Sequence, residues 1–134
     1  MVDQLTLQTM GILLTGLTVS IAAIYYMLTL RYTRMNMKNT LETRQAQLFM
    51  QLFDRWLASG YAEKLVKLLF HQEWKDYEDW SEKYGPERNP EAANVYFTLD
   101  TYFEGIGTLV KRGLIDPRLV DDLMGSDIVA YWGK

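Results

Sequence analysis

The feature that most constrains this chain is an uninterrupted apolar run near its N-terminus. Residues Leu5 to Leu30 read LTLQTMGILLTGLTVSIAAIYYMLTL and contain neither a charged residue nor a proline. A helix needs about 20 mostly apolar residues to cross the hydrocarbon core of a bilayer. At about 1.5 Å per residue the run is about 40 Å long, so a tilted or slightly protruding span is expected. The run therefore predicts a transmembrane helix.

A buried core helix and a signal peptide can both produce a similar run. A chain of 134 residues has little room to bury such a helix on every side. A signal peptide starts with basic residues and ends at a small-residue cleavage site, whereas this start carries Asp3 and no Lys or Arg. These differences favour a membrane span.

The charges on the two sides of the run predict its orientation. Arg31, Arg34 and Lys38 follow it, with Arg44 a little further on, whereas only Asp3 precedes it. The positive-inside rule then places the N-terminus outside and the rest of the chain in the cytoplasm, which predicts a single-pass protein of the cell membrane. Arg31, Arg34 and Lys38 are also predicted to contact anionic lipid head groups.

One side of the predicted span is small and polar. The residues follow alternating steps of three and four and form a single stripe: Gln8, Gly11, Thr15, Thr18, Ala22, Tyr25 and Thr29. Such a stripe can be a helix–helix interface, because small residues let two backbones approach closely. Two alternatives remain, namely threonines that bond back to their own helix and face lipid, and a stripe that lines a water-filled pore. The absence of a charge in the span weakens the pore alternative.

The charge balance of the remaining chain excludes some partners. Residues 45–134 carry ten bases and fifteen acids, a balance of −5. Nucleic-acid binding needs a basic surface, so no nucleic-acid partner is expected. The chain has no cysteine, which excludes disulfides, thiolate zinc sites and cysteine nucleophiles.

The sequence predicts an all-α fold with one N-terminal transmembrane helix followed by a small cytoplasmic helical bundle. Residues 1–34 form the span and its basic flank, residues 35–60 form a juxtamembrane helix that continues into the bundle, and residues 61–134 form the cytoplasmic domain. A helical break near Asn36 or Asn39 is equally allowed, and Ser59-Gly60 is a stop signal.

Helix signals also recur through the last part of the chain. Asn89-Pro90 and Asp116-Pro117 each combine a capping side chain with a proline at the first helical turn. Ser126 is predicted to cap a separate last turn. Gly105 and Gly107 each cost a helix about 1 kcal/mol relative to alanine, so close packing of another helix is expected there.

A segment rich in aromatic and acidic residues precedes these helices. Trp74, Tyr77, Trp80 and Tyr84 fall three to four residues apart among several acids. The pattern can form a surface for a basic partner, but it is more typical of a helix with buried rings and a solvated acidic face.

Candidate catalytic groups are few. His71 is the only histidine, and its position favours a surface residue at a helix end. Asp100 and Glu104 share a helix face, but two acids do not make a metal site. We expect Glu104 to form a structural ion pair with Arg55, or with Arg44. No catalytic, cofactor-binding or metal-binding residue is predicted, and no cofactor is expected.

Most of the chain carries a resemblance to a known family. The sequence YFEGIGTLVKRGLIDPRLVDDLMG follows the span, the basic flank and an LFDRW-like helix, and a terminal Trp132 follows it. This pattern resembles a family of small prokaryotic membrane proteins that is described only as a domain of unknown function. Its most specific part runs from Phe103-Glu104 to Asp116, together with Trp132. The resemblance implies a single-pass protein with a cytoplasmic helical domain, and it supplies no activity or site.

These observations predict a non-enzymatic membrane protein that acts through contacts. Its expected partners are the lipid bilayer and either further copies of itself or other membrane protein subunits. One alternative is an oligomeric ion-conducting pore lined by the small/Thr stripe of the span. Another is a sensor enzyme that uses Asp100 and Glu104.

Overall fold

The computed structural model describes residues 3–134, which form five α-helices and no strand. The helices are α1 Gln4–Ala58, α2 Tyr61–His71, α3 Tyr77–Tyr84, α4 Pro90–Lys111 and α5 Pro117–Trp132. This architecture confirms the all-α prediction and the long apolar N-terminal helix.

The chain divides into two compact units, Met1–Glu42 and Thr43–Lys134. The described part of the first unit is the N-terminal portion of α1. The second unit contains the rest of α1 together with α2 to α5. In that unit α2 packs on α4 and α5, and α3 packs on α4.

Helix α1 continues through Asn36 and Asn39, so neither asparagine breaks it. It ends at Ala58, where the chain turns through Gly60 with a φ of 72°. Glycine adopts this left-handed conformation without the steric cost that a Cβ atom adds. The predicted stop at Ser59-Gly60 is therefore confirmed.

Local side-chain and glycine chemistry defines both ends of α4, and its start is the one predicted at Asn89-Pro90. At the start, the Asn89 side chain accepts a hydrogen bond from the Ala92 N–H at 3.1 Å. At the end, Gly113 has a φ of 70°, its N–H donates to the Val110 carbonyl, and the Leu114 N–H donates to the Leu109 carbonyl. These two bonds define a Schellman motif, which satisfies carbonyls that the helix leaves without partners.

Helix α5 differs from the prediction of two short helices. It runs unbroken from Pro117 to Trp132, so the expected cap at Ser126 is wrong. Val120, Met124 and Tyr131 are buried on this helix. Their helical spacing carries one apolar face past Ser126, and the packing of that face outweighs the local preference of serine for a helix start.

The main core cluster of the second unit draws on α1, α2, α4 and α5 and on Ile115, which lies between α4 and α5. Its fully buried side chains are Phe49, Leu68, Leu99, Ile115 and Met124. Burying a side chain of this size contributes about 1.5–3 kcal/mol, so these five alone supply a large share of the stability of the unit.

The expected close packing at Gly105 and Gly107 is wrong. A Cβ atom built at either position would meet nothing within 4 Å. The reason is the register of α4, which turns Leu99, Phe103 and Ile106 into the core and leaves both glycines outside it.

Candidate functional site

Among the helices of residues 3–134, α1 is the one that is long and apolar enough to cross a membrane. An 18-residue window of it has a mean hydropathy of 1.8, and none of that window is buried within the structure. The large apolar side chains of the window are therefore exposed, as Leu13 and Ile21 illustrate with exposed fractions of 67% and 59%.

The small/Thr stripe lies on this exposed helix, and its threonine hydroxyls already have acceptors. Thr15 donates to the Gly11 carbonyl at 2.8 Å, Thr18 to the Leu14 carbonyl at 2.8 Å, and Thr29 to the Tyr25 carbonyl at 2.9 Å. Each bond joins residues four apart, which is the back-bonding alternative. The hydroxyl protons are therefore used within the helix, and the stripe presents small side chains to its surroundings.

The stripe also carries a shallow depression at Gly11. Met10, Leu13, Leu14 and Leu17 surround this depression, whose volume is about 420 Å³. A Cβ atom built at Gly11 would meet nothing within 4 Å. A second helix can approach most closely at such a point.

The basic residues that follow the apolar run are exposed. Lys38 reaches Glu42 at 3.9 Å in a solvent-exposed pair of the kind that contributes little to stability. Arg31 and Arg34 form no ion pair within 4.0 Å with any residue of the range 3–134. Their guanidinium groups are thus accessible to an external anion.

The candidate catalytic groups are dispersed. His71 is exposed at the last position of α2, as predicted. Asp100 accepts a hydrogen bond of 3.0 Å from the Tyr131 hydroxyl, which ties α4 to α5. Burial and this bond raise the pKa of Tyr131 above its usual range. Within residues 3–134, no three His, Cys, Asp or Glu side chains are grouped so that they could hold a metal ion.

Arg55 and Glu104 are not brought together. Arg55 lines a groove of about 770 Å³ beside Tyr61 and Tyr102, whereas Glu104 lines a different one, next to Val129. In the part of the chain that the structure describes, Arg55 and Glu104 do not form an ion pair within 4.0 Å. Both side chains are exposed, so water solvates the charges that the ion pair was expected to neutralise.

Helix α3 positions a cavity of the second unit that is lined mainly by aromatic rings. Asp76 begins α3 by accepting a 2.9 Å hydrogen bond from the Asp79 N–H. The cavity has a volume of about 380 Å³. We call it the aromatic pocket; it is lined by the rings of Trp74, Tyr77, Trp80, Tyr96 and Phe97, with Lys75 and Asp76 beside them.

Pairing within α3 reduces the free charge around this pocket. Lys83 donates to Asp79 at 3.0 Å, and the Lys75 backbone N–H donates to the same carboxylate. These two hydrogen bonds lower the pKa of Asp79 below its usual range. Glu73 and Glu78 remain exposed on the same segment.

Comparison with known proteins identifies the family. The family described as Domain of unknown function (DUF4760) matches residues 10–134. The chain belongs to this family. The match includes the stretch from Phe103 to Asp116 and Trp132, which confirms the resemblance to a family of unknown function. No curated protein and no solved structure matches the chain.

Sequence reasoning missed the aromatic pocket of this DUF4760 chain. The periodicity of Trp74 to Tyr84 predicted one helix with buried rings, but Trp74 precedes α3 and Tyr77 is 76% exposed. Trp80 is buried as expected. The available signal was the adjacent pair Tyr96-Phe97 on α4, where Tyr96 is half-buried and Phe97 is 48% exposed.

Proposed function

We propose that this DUF4760 chain is a single-pass membrane protein that acts by helix–helix contacts in the bilayer, as a homo-oligomer or as an accessory subunit of a larger membrane complex. One observation carries the proposal. The apolar window of α1 is wholly unburied, so its side chains need a solvent other than water.

The energetic argument rests on the number of these side chains. Between Leu5 and Leu30, fifteen large apolar or aromatic side chains are exposed. Leaving each of them in water forfeits about 1.5–3 kcal/mol relative to burial, which amounts to tens of kcal/mol for the helix. A folded domain is stable by only about 5–15 kcal/mol, so lipid or other helices must cover this surface.

The flanking charges support the orientation. Arg31 and Arg34 lie directly after the apolar window, are exposed and form no ion pair with the described residues. Basic residues beside a span favour the cytoplasmic face and its anionic lipids. We therefore propose that the N-terminal side of the span is outside and that the unit Thr43–Lys134 is cytoplasmic.

The stripe supports close association of helices. Gly11 and Ala22 leave room for another backbone, and the back-bonded hydroxyls of Thr15 and Thr18 lie flat against their own helix. Because these hydroxyl protons are already donated, a neighbouring helix gains packing contacts without having to satisfy a free donor. The pore alternative has no comparable support and becomes an outcome of the test.

The test is native mass measurement of the chain in nanodiscs, with a matched pair of variants. Ala22→Leu enlarges the stripe, whereas Ala23→Leu adds the same side chain about 100° away on the helix. Self-association predicts a closed oligomer that Ala22→Leu dissociates and Ala23→Leu preserves. An accessory subunit instead co-purifies with other chains at a fixed ratio that only Ala22→Leu reduces.

Two results would overturn the proposal. One is release of the chain from membranes by alkaline carbonate, which would mean that α1 does not span. The other is a monomer that co-purifies with nothing. An oligomer that conducts ions, with conductance lost in Thr15→Leu and Thr18→Leu, would replace the contact function by the pore.

A further inference from the structure

We propose that the aromatic pocket beside α3 binds an alkylated ammonium cation. The pocket lies in the unit Thr43–Lys134, and the proposal is independent of the membrane function of α1.

The arrangement of the rings carries the first part of the argument. Trp80 and Phe97 are inclined at 86° with centroids 6.2 Å apart, and Tyr96 and Phe97 at 77° with centroids 5.5 Å apart. Trp80 and Tyr96 are inclined at 58°. Three mutually inclined rings therefore bound one cavity, and the negative faces of such rings attract a cation within about 6 Å of their centroids.

Two rings of the pocket are exposed to solvent, which also favours a ligand at this place. Tyr77 is 76% exposed and Phe97 is 48% exposed, although both line the pocket. Their apolar surface is available to the methyl groups of a ligand. An alkylated ammonium suits such a surface better than a bare ammonium, because the alkyl groups lower the cost of leaving water.

The charge of the segment supplies the complementarity. Residues 73–84 contain five acids and two bases. One of the two bases, Lys83, is bound to Asp79, which leaves Glu73, Asp76, Glu78 and Glu82 to give the surroundings a negative potential. Lys75 is the one base that lines the pocket itself, and its ammonium opposes a second cation.

A cation already lies on one ring of the pocket. The Lys134 ammonium lies 5.3 Å from the centroid of the Trp74 ring and donates to the Leu69 carbonyl at 3.1 Å. Since Trp74 is engaged in this way, the proposed ligand depends mainly on the other four rings of the pocket.

The experiment is a fluorine NMR titration of the full chain labelled with fluorotryptophan. The chain has four tryptophans, and Trp56, which does not line the pocket, is the internal control for the pocket resonances of Trp74 and Trp80. The nanodiscs contain phosphatidylglycerol only, which excludes choline head groups. The probes are choline and its tert-butyl analogue, in which carbon replaces the charged nitrogen.

The expected result is a saturable shift of the Trp80 resonance with choline and a much weaker effect of the neutral analogue. Equal shifts with the two probes would overturn the cation site, because apolar filling would then explain them. An unmoved Trp80 resonance, or shifts that Trp56 shares, would overturn it as well.

Variants separate the ring contribution from general damage. Tyr77→Ala is expected to weaken choline binding about three- to fivefold, the effect of one exposed cation–π contact. Phe70→Ala removes a ring of similar exposure, 73%, from outside the pocket and should change nothing. Unchanged binding in Tyr77→Ala would contradict the proposal.

Two further variants test the charges while preserving the fold. Asp76→Asn keeps an oxygen that can cap α3 but removes the negative charge, and should weaken choline binding about threefold. Lys75→Gln should strengthen it. Stronger binding in Asp76→Asn, or weaker binding in Lys75→Gln, would contradict the site.

A second disc composition identifies the source of the cation. The second nanodiscs are made of phosphatidylcholine. If the head groups of this lipid occupy the pocket, the Trp80 resonance is already at its shifted position before choline is added. If the resonance starts at its unshifted position, the ligand is a free small ammonium compound. Both results support the pocket, and they differ only in the origin of the group.

Discussion

Two tyrosine hydroxyls join helices of the second unit by single hydrogen bonds. The Tyr102 hydroxyl donates to the Leu52 carbonyl at 2.5 Å, and the Tyr131 hydroxyl donates to Asp100 at 3.0 Å. Both rings are buried in a cluster that includes Trp56 and Phe103. Each aromatic pair contributes about 0.5–1.5 kcal/mol beyond the area it buries.

Burial raises the pKa of Tyr102 to about 12, with a smaller contribution from Tyr61 in the same direction and one from Arg55 against it. The unfolded chain releases this proton near pH 10, whereas the folded chain keeps it. The contribution of Tyr102 to the free energy of unfolding is therefore constant well below pH 10. We expect it to fall as pH rises toward 12, by on the order of 2 kcal/mol.

Urea unfolding between about pH 10 and pH 12, followed by near-ultraviolet circular dichroism, measures this decrease in the free energy of unfolding. Tyr102→Phe removes the titrating group and should flatten the pH dependence, although the hydrogen bond lost to Leu52 lowers the stability at every pH. Tyr131, whose pKa is also raised, accounts for the remaining slope. Identical slopes in the variant and the parent chain would contradict this assignment.

At the scale of the element, α4 depends on its two ends. Asn89 caps the first turn, and Gly113 closes the Schellman motif at the last. Gln45 of α1 donates to the Gly113 carbonyl at 2.7 Å, so the same turn is also joined to α1. The local motif thereby becomes a contact between helices.

Glycine substitutions in α4 and its terminal turn should have opposite signs. Gly113→Ala places a Cβ atom in the left-handed conformation and should destabilise the unit by about 1–2 kcal/mol. Gly105→Ala lies inside the helix where nothing is within 4 Å, and should stabilise it by about 1 kcal/mol. Thermal unfolding of the two variants measures both effects. A Gly105→Ala variant less stable than the parent would mean that a partner helix occupies this surface.

At the scale of the whole molecule, the charge is divided between a basic flank and an acidic remainder. Residues 31–44 carry four bases and one acid, whereas residues 45–134 carry a balance of −5. This division supports one orientation in a bilayer, because bases beside a span favour the cytoplasmic face.

Single-cysteine labelling tests that orientation without background, because the chain has no cysteine. In intact cells, an impermeant maleimide should label Asp3→Cys and leave Glu78→Cys unlabelled. Ala22→Cys should stay unlabelled until the membrane is dissolved. Labelling of Glu78→Cys alone would reverse the orientation, and labelling of all three would exclude a span.

The elements themselves follow from local sequence chemistry. The uncharged, proline-free run predicts α1, and Asn89-Pro90 and Asp116-Pro117 predict the starts of α4 and α5. Such signals act within a few residues, so a sequence displays them directly.

The relations between elements were decided only by the tertiary structure. Ser126 remains helical because Met124 and Tyr131 pack as one face, and Arg55 and Glu104 stay apart because they line different grooves. The aromatic pocket likewise requires α3 and α4 to bring distant rings together. Helical periodicity identifies a buried face, but it does not specify which other face will pack against it.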